Sequence, residues 1–300
     1  MEQLKLIVTT EYLTDIRSKS FWIGTFIVPI VIIVFGGICG VLMAESDTFA
    51  KTLNDLPTQP DAESLTPAKA VGMMAGIFLT FFLMIYGAMI FNKVKTEKCN
   101  RIMEIICTSV SGRTLMLGKI LSVGLTGLTQ LLIWAIMVFA GVTFIFLVFG
   151  FDFPWGYLTS GKTYLAITWT FLYFIGGYVL FGSLYAACGA ITDKDNENQT
   201  YMTVITFLLL GAFYLGEFAV DNGDSTLAIV CSYIPFTSPT VGTVGAVSGA
   251  LPIWQIATSL AVLYVCAFLS VAMAGKLYRS SMLLKGKQFT PKDIITFLRS

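Results

Sequence analysis

The chain has 300 residues, 56% hydrophobic and 12% charged, with a net charge of +1 and a mean hydropathy of +0.78. A soluble domain carries about 25% charged residues, so half that density excludes a water-covered surface, and a near-zero net charge excludes the field that would gather nucleic acid. Histidine is absent and the six cysteines (Cys39, Cys99, Cys107, Cys188, Cys231, Cys266) form no CxxC pair, which removes histidine-based acid–base chemistry and any sign of a zinc or disulfide framework.

In chain order, residues 1–20 come first. Leu4, Ile7, Val8, Tyr12 and Ile16 share one stripe, which predicts an N-terminal helix lying in the inner membrane interface. The mixed acids and bases before a long apolar run read as no cleavable signal peptide. A bilayer core takes about 20 apolar residues as a helix. Six stretches reach that scale: Phe21–Met43, Ala70–Phe91, Leu115–Phe149, Tyr164–Ile191, Tyr201–Phe218 and Ile253–Gly275. The third is longer than a bilayer needs, and Lys119 near its start puts that end in the interface. The expected fold is an all-α integral membrane protein, one transmembrane domain over residues 1–300 with a tail at 276–300.

Lysine and arginine set orientation. With the N-terminus inside, sixteen of the nineteen lie on the inner side, and Lys51, Lys69 and Lys162 lie outside. Both termini are then cytoplasmic, in a multi-pass protein of a bacterial-type inner (plasma) membrane.

That orientation bears on one motif. Gly156 to Thr163 spells G-x-x-x-x-G-K-T, with Gly156, Gly161, Lys162 and Thr163 in the positions of a phosphate-binding P-loop. The stretch falls on the outer side, where ATP is scarce. The preceding VTFIFLVF is then the end of a membrane helix, whereas a P-loop follows a strand. The match is read as false.

Between the second and third spans, Cys99, Ile102, Met103 and Ile106 fall on one helical face, and Glu97, Asn100, Arg101 and Glu104 on the other. Ser109, Ser111 and Gly112 end this amphipathic helix. A helix lying among lipid headgroups is one reading, but such helices carry a basic polar face. The mixed face here suits a protein partner better.

Further along, DKDNENQT begins like a calcium loop but has Asn198 and Val204 where the pattern wants Gly and Glu, so it reads as a solvated turn. Between Glu217 and Trp254 the chain is too apolar for an exposed loop, while Pro235, Pro239 and several glycines forbid one long helix. Short re-entrant helices from the outer side fit, with a seventh span as the alternative. Gly36–Gly40 and Gly72–Gly76 are small-xxx-small pairs, open to close packing within the chain or to a dimer seam. Charges inside the spans are scarce, against the buried acids of a coupled ion pump. Gln130, Thr80, Thr203 and Thr206 are the polar candidates along a route for cargo. At the C-terminus Thr290 caps and Pro291 opens a last helix.

The stretch TEKCNRIMEIICTSVSGRTLMLGKILSVGLTGLTQLLIW resembles the signature of type-two ABC exporter permeases, in their NatB-like sodium-efflux branch. Glu97, Arg101, Met103, Glu104, Thr108, Ser109, Ser111, Leu115, Gly118 and Lys119 match its pattern. EYLTDIRSKSF, IPFTSP and the tail from Gly275 resemble further family segments in the same order. The chain departs from that branch in a short connection, Ala44–Lys69, between the first two spans. The resemblance implies an exporter permease of six spans, without ATPase activity of its own. ATP and magnesium would be held by a separate ABC ATPase subunit. The segment from about Thr96 to Thr108 would be the coupling helix, with Glu97, Asn100, Arg101, Met103, Glu104, Thr108 and Ser109 its ATPase-coupling residues. A second permease, identical or a sister chain, would complete the assembly in the bilayer; nucleic acid is not expected as a partner. The rival readings are a transporter or channel acting alone, which would need no mixed-charge helix, and an intramembrane enzyme, which would need positioned titratable groups.

Overall fold

Apolar side chains in lipid leave the backbone nowhere to hydrogen-bond except within itself, so the chain is driven into helices. The computed structural model describes residues 2–45, 67–99, 111–149, 161–192, 195–221, 226–249 and 251–283. The described residues form nine helices: α1 (Glu2–Arg17), α2 (Lys19–Glu45), α3 (Pro67–Cys99), α4 (Gly112–Phe149), α5 (Gly161–Ile191), α6 (Asp195–Asp221), α7 (Thr226–Tyr233), α8 (Ser238–Ser248) and α9 (Ile253–Leu283).

Five of these are long and apolar enough to cross a membrane, through Gly72–Lys98, Thr114–Phe144, Tyr164–Ile191, Thr200–Phe218 and Ile253–Ser281. The expected first span falls in α2, whose described apolar stretch is Lys19–Val31. Large apolar side chains point outward along the spans, Phe268 and Leu147 each 76% exposed. Water would not support so much exposed apolar surface; lipid does.

Local chemistry sets the helix ends. The Ser18 hydroxyl accepts from the Phe21 amide at 3.2 Å and so caps α2. Ser111 does the same for α4 through the Thr114 amide at 3.2 Å. Pro239 stands in the first turn of α8, and Gly249, at φ 75°, closes its C-terminus in the left-handed region. The residues between Tyr233 and Ser238 turn, so two short helices of 8 and 11 residues occupy the region after α6. Neither reaches the ~20 residues a crossing needs.

The described chain divides into two units. The first comprises Met1–Glu11, Thr66–Gly124 and Gly161–Ser300. Within it α5 is the most enclosed span, packed between α3 and α9, while α8 wedges against α3, α5 and α6. Tyr173 and Leu180 of α5 meet Ile256, Leu260 and Leu263 of α9 in a dry core. Between helices in lipid, close van der Waals packing takes over from the hydrophobic effect. Gly72 and Gly76 serve that packing: a Cβ on Gly76 would lie 2.6 Å from Val244 Cγ2 of α8. This pair is therefore a seat for α8 within the chain. Gly36 and Gly40 belong to α2, and their packing lies outside what is described.

The second unit comprises Tyr12–Leu65 and Leu125–Ser160. Polar pairs hold its helices. Tyr12 Oη and Thr129 Oγ1 are 2.8 Å apart, Thr126 Oγ1 donates to Asp15 Oδ2 at 3.3 Å, and Trp134 Nε1 donates to the Thr25 carbonyl at 2.9 Å.

Candidate functional site

At one end of the first unit, three helices bring charged side chains to a single point and a fourth adds a tyrosine hydroxyl. α3 continues past its apolar stretch to Lys93 and Glu97, and α4 begins with Leu115, Gly118 and Lys119. Leu115 is buried. A Cβ on Gly118 would lie 2.7 Å from Ile7 Cγ2, so glycine lets α1 approach α4 closely. The next residue, Lys119, then carries its ammonium beneath α1 with 1% of its side chain exposed.

A buried ammonium needs counter-charge. Lys119 Nζ donates to Glu11 Oε1 of α1 at 2.9 Å and also to Glu97 Oε1 of α3. Lys93 Nζ donates to the other Glu11 oxygen at 2.9 Å, and Tyr278 Oη of α9 donates to Glu97 Oε2 at 3.3 Å. The bonds run as one chain: Lys93, Glu11, Lys119, Glu97, Tyr278. Two carboxylates balance two ammoniums around Lys119, the one fully buried member; Glu11, Lys93 and Glu97 stay partly exposed. Burial raises the Glu11 carboxyl, but the charges and hydrogen bonds of Lys119 and Lys93 outweigh it and hold the group below its ordinary range.

Of the residues singled out from sequence, Glu97 belongs to this cluster; its side chain is 18% exposed and turned toward Lys119. Thr96 to Cys99 continue α3, and Asn100, Arg101, Met103, Glu104, Thr108 and Ser109 lie outside the described residues. So do Gly156 and the C-terminal Thr290 and Pro291. Gly161 opens α5 and is exposed, and Lys162 and Thr163 follow it on that helix. VTFIFLVF, residues 142–149, ends α4 as helix, so the strand that a P-loop follows is replaced by helix there. Thr80 donates to the Gly76 carbonyl at 2.9 Å, a backbone bond within α3.

Glu11, Lys93 and Tyr278 are the members that sequence reasoning passed over, and Lys119 was named for its interfacial place and its motif without its partners. Signals existed for Glu11 and for the burial of Lys119. Glu11 interrupts the stripe of Leu4, Ile7, Val8, Tyr12 and Ile16 on its own face, four residues after Ile7. Lys119 sits in L-G-K-I-L, a setting too apolar for a solvated charge.

The opposite end of the unit is held by hydroxyl and amide groups. Gln255 Nε2 of α9 donates to Ser232 Oγ of α7 at 2.8 Å, and Ser259 Oγ donates to the Ser232 carbonyl. Thr240 Oγ1 of α8 donates to the Ala212 carbonyl of α6 at 2.9 Å. These bonds satisfy polar groups that lipid could not.

Over residues 44–276 the sequence matches the family described as ABC-2 family transporter protein. The chain belongs to the ABC-2 transporter family. Two relatives are each 27% identical to it. The uncharacterized protein YhaP of Bacillus subtilis aligns over 228 residues, 74% of this chain and 54% of that protein. The uncharacterized protein MJ1024 of Methanocaldococcus jannaschii aligns over 213 residues, 71% of this chain and 49% of that protein. The chain spans about half the length of these curated relatives. No solved structure matches it. Within the ABC-2 chain, Glu97 of α3 and Lys119 of α4 are thus bonded to each other.

Proposed function

We propose that this ABC-2 chain is the membrane-spanning permease subunit of an ABC exporter, driven by ATP hydrolysis on a separate ATPase subunit that holds the nucleotide and magnesium. The family match over residues 44–276 carries the reading. The architecture supports it, since five apolar spans leave the described chain devoted to the membrane. The segment from Thr96 to Thr108 is the coupling helix in this reading. Glu97 anchors its root, and Asn100, Arg101, Met103, Glu104, Thr108 and Ser109 form the face that docks the ATPase. Six spans cross the membrane, with α2 the first and α7 and α8 re-entrant from outside. The sixteen-to-three bias of basic residues puts both termini in the cytoplasm. The cargo, an ion, a drug or a lipid-like molecule, leaves by alternation of the permease pair between inward-open and outward-open states.

The test is purification in mild detergent with the ATPase that accompanies the chain. Arg101→Ala is expected to cut ATPase recovery or permease-dependent hydrolysis by at least about tenfold, because losing one partner of a desolvated interfacial charge pair costs ~2–5 kcal/mol. Its insertion and abundance stay normal. Lys162→Ala leaves hydrolysis unchanged. An Arg101→Ala complex that hydrolyses ATP as the wild type does removes Arg101 from the docking face, and a wild type that works without any ATPase supports the stand-alone transporter instead. Sidedness has its own check. A cysteine at Lys162 should react with an impermeant thiol reagent added outside intact cells, and one at exposed Thr96 should not.

A further inference from the structure

The charged cluster joins four separate elements through five side chains. Glu11 belongs to α1, Lys93 and Glu97 to α3, Lys119 to α4 and Tyr278 to α9. Lys119 is its hub, fully buried and bonded to both acids. Glu97 lies in the segment proposed for coupling, two residues before Cys99, where α3 ends. A displacement of that segment therefore reaches Glu97 before the rest of the span.

Two responses are open to such a push. α3 can bend away, or the four helix segments can shift together. Bending draws Glu97 off Lys119 and leaves the fully buried ammonium with Glu11 as its one acid, whose other oxygen already serves Lys93. Losing a partner of a buried charge is unfavourable. A common shift leaves every bond in place. Gly118 adds a second tie, since α1 seats on it through Ile7 and Leu4.

We infer that the middle of α1 and the ends of α3, α4 and α9 act as one lever, with Lys119 the positioning residue at its hub. The lever transmits ATPase movement from the coupling segment to the spans. The inference rests on the functional reading above, because it needs an ATPase at that segment.

The experiment compares wild type, Lys119→Arg, Lys119→Met and the double variant Glu97→Gln/Lys119→Met, each purified with its accompanying ATPase and reconstituted in liposomes. Lys119→Met leaves the part-buried Glu97 carboxylate without its ammonium, and its abundance should fall. The double variant removes that imbalance and keeps the Glu11–Lys93 pair. Its abundance and melting temperature should return to near wild type and the ATPase should still co-purify in the wild-type ratio. Its permease-dependent hydrolysis should nevertheless stay down by about tenfold, the scale of an ordinary coupling between sites. Lys119→Arg keeps both. A double variant that recovers stability and also hydrolyses within about twofold of wild type overturns the lever, leaving the cluster a folding device. A wild-type chain that carries no ATPase overturns the functional reading, and the lever falls with it.

Discussion

Among the described residues Lys119 is a fully buried charged side chain, and its neighbours are arranged around the cost of burying it. Removing one member of a buried ion pair costs about 3–5 kcal/mol. Lys119→Met alone is thus expected to lower the melting temperature in detergent by several degrees, while Lys119→Arg stays close to wild type. Glu11 has a pH signature of its own. Its carboxyl is held below the ordinary value of 4.5, so the folded state binds this proton more weakly than the unfolded one. The resulting stability is fully present above the unfolded value and is lost as pH falls through the lower folded value. Wild-type stability from this source should be flat from about pH 7 to about pH 5 and decline below that. Glu11→Gln should start lower and show a shallower acid decline. Thermal melts of both proteins across that range decide it; parallel curves would remove the Glu11 contribution.

Two contacts govern how the helices sit against each other within the first unit. α1 presses on α4 at Gly118, where an added Cβ would come within 2.7 Å of Ile7 Cγ2. Gly118→Val should cost about 1–3 kcal/mol by overpacking and loosen the start of α1, seen as faster amide hydrogen exchange over residues 2–11. Unchanged exchange there would mean that α1 is held by its charges alone. α8 is tied to α6 by the Thr240 hydroxyl on the Ala212 carbonyl. Hydrogen bonds between membrane helices average only about 0.6 kcal/mol. Thr240→Val should therefore shift the melting temperature far less than Gly118→Val. The contrast places the stability of these elements in close packing and the buried ion cluster, with the hydroxyl bonds filling a need of the backbone.

At the scale of the molecule, an exporter driven by two closing ATPases needs two coupling helices, so the proposed assembly is a symmetric or pseudo-symmetric permease pair. Native mass measurement of the complex with its ATPase should give two permease chains, identical or sister; one permease per active complex would exclude it. Much of the architecture was legible beforehand. The apolar stretches at 70–91, 115–149, 164–191, 201–218 and 253–275 fall within the helices α3, α4, α5, α6 and α9, each long and apolar enough to cross a membrane, and the broken stretch before Trp254 contains α7 and α8. The candidate site was legible only in part. Glu97 was singled out for its place on a polar face, yet its carboxylate turns to Lys119. Thr80 was named as a polar candidate along a cargo route, and its hydroxyl bonds the Gly76 carbonyl of its own helix.

The amino-acid sequence by itself determined that this chain lives in lipid, that it crosses as helices, and where serine, proline and glycine end them. Those outcomes depend on local sums: hydropathy over about 20 residues, a capping hydroxyl, a missing amide hydrogen. The tertiary structure decided which charges meet. Glu11, Glu97 and Lys119 stand on three helices, and 108 residues separate the first from the last. Their pairing depends on the rotation of α1 about its axis and on the close approach that Gly118 permits. Rotation and approach are set by packing between helices, which no local window of sequence contains.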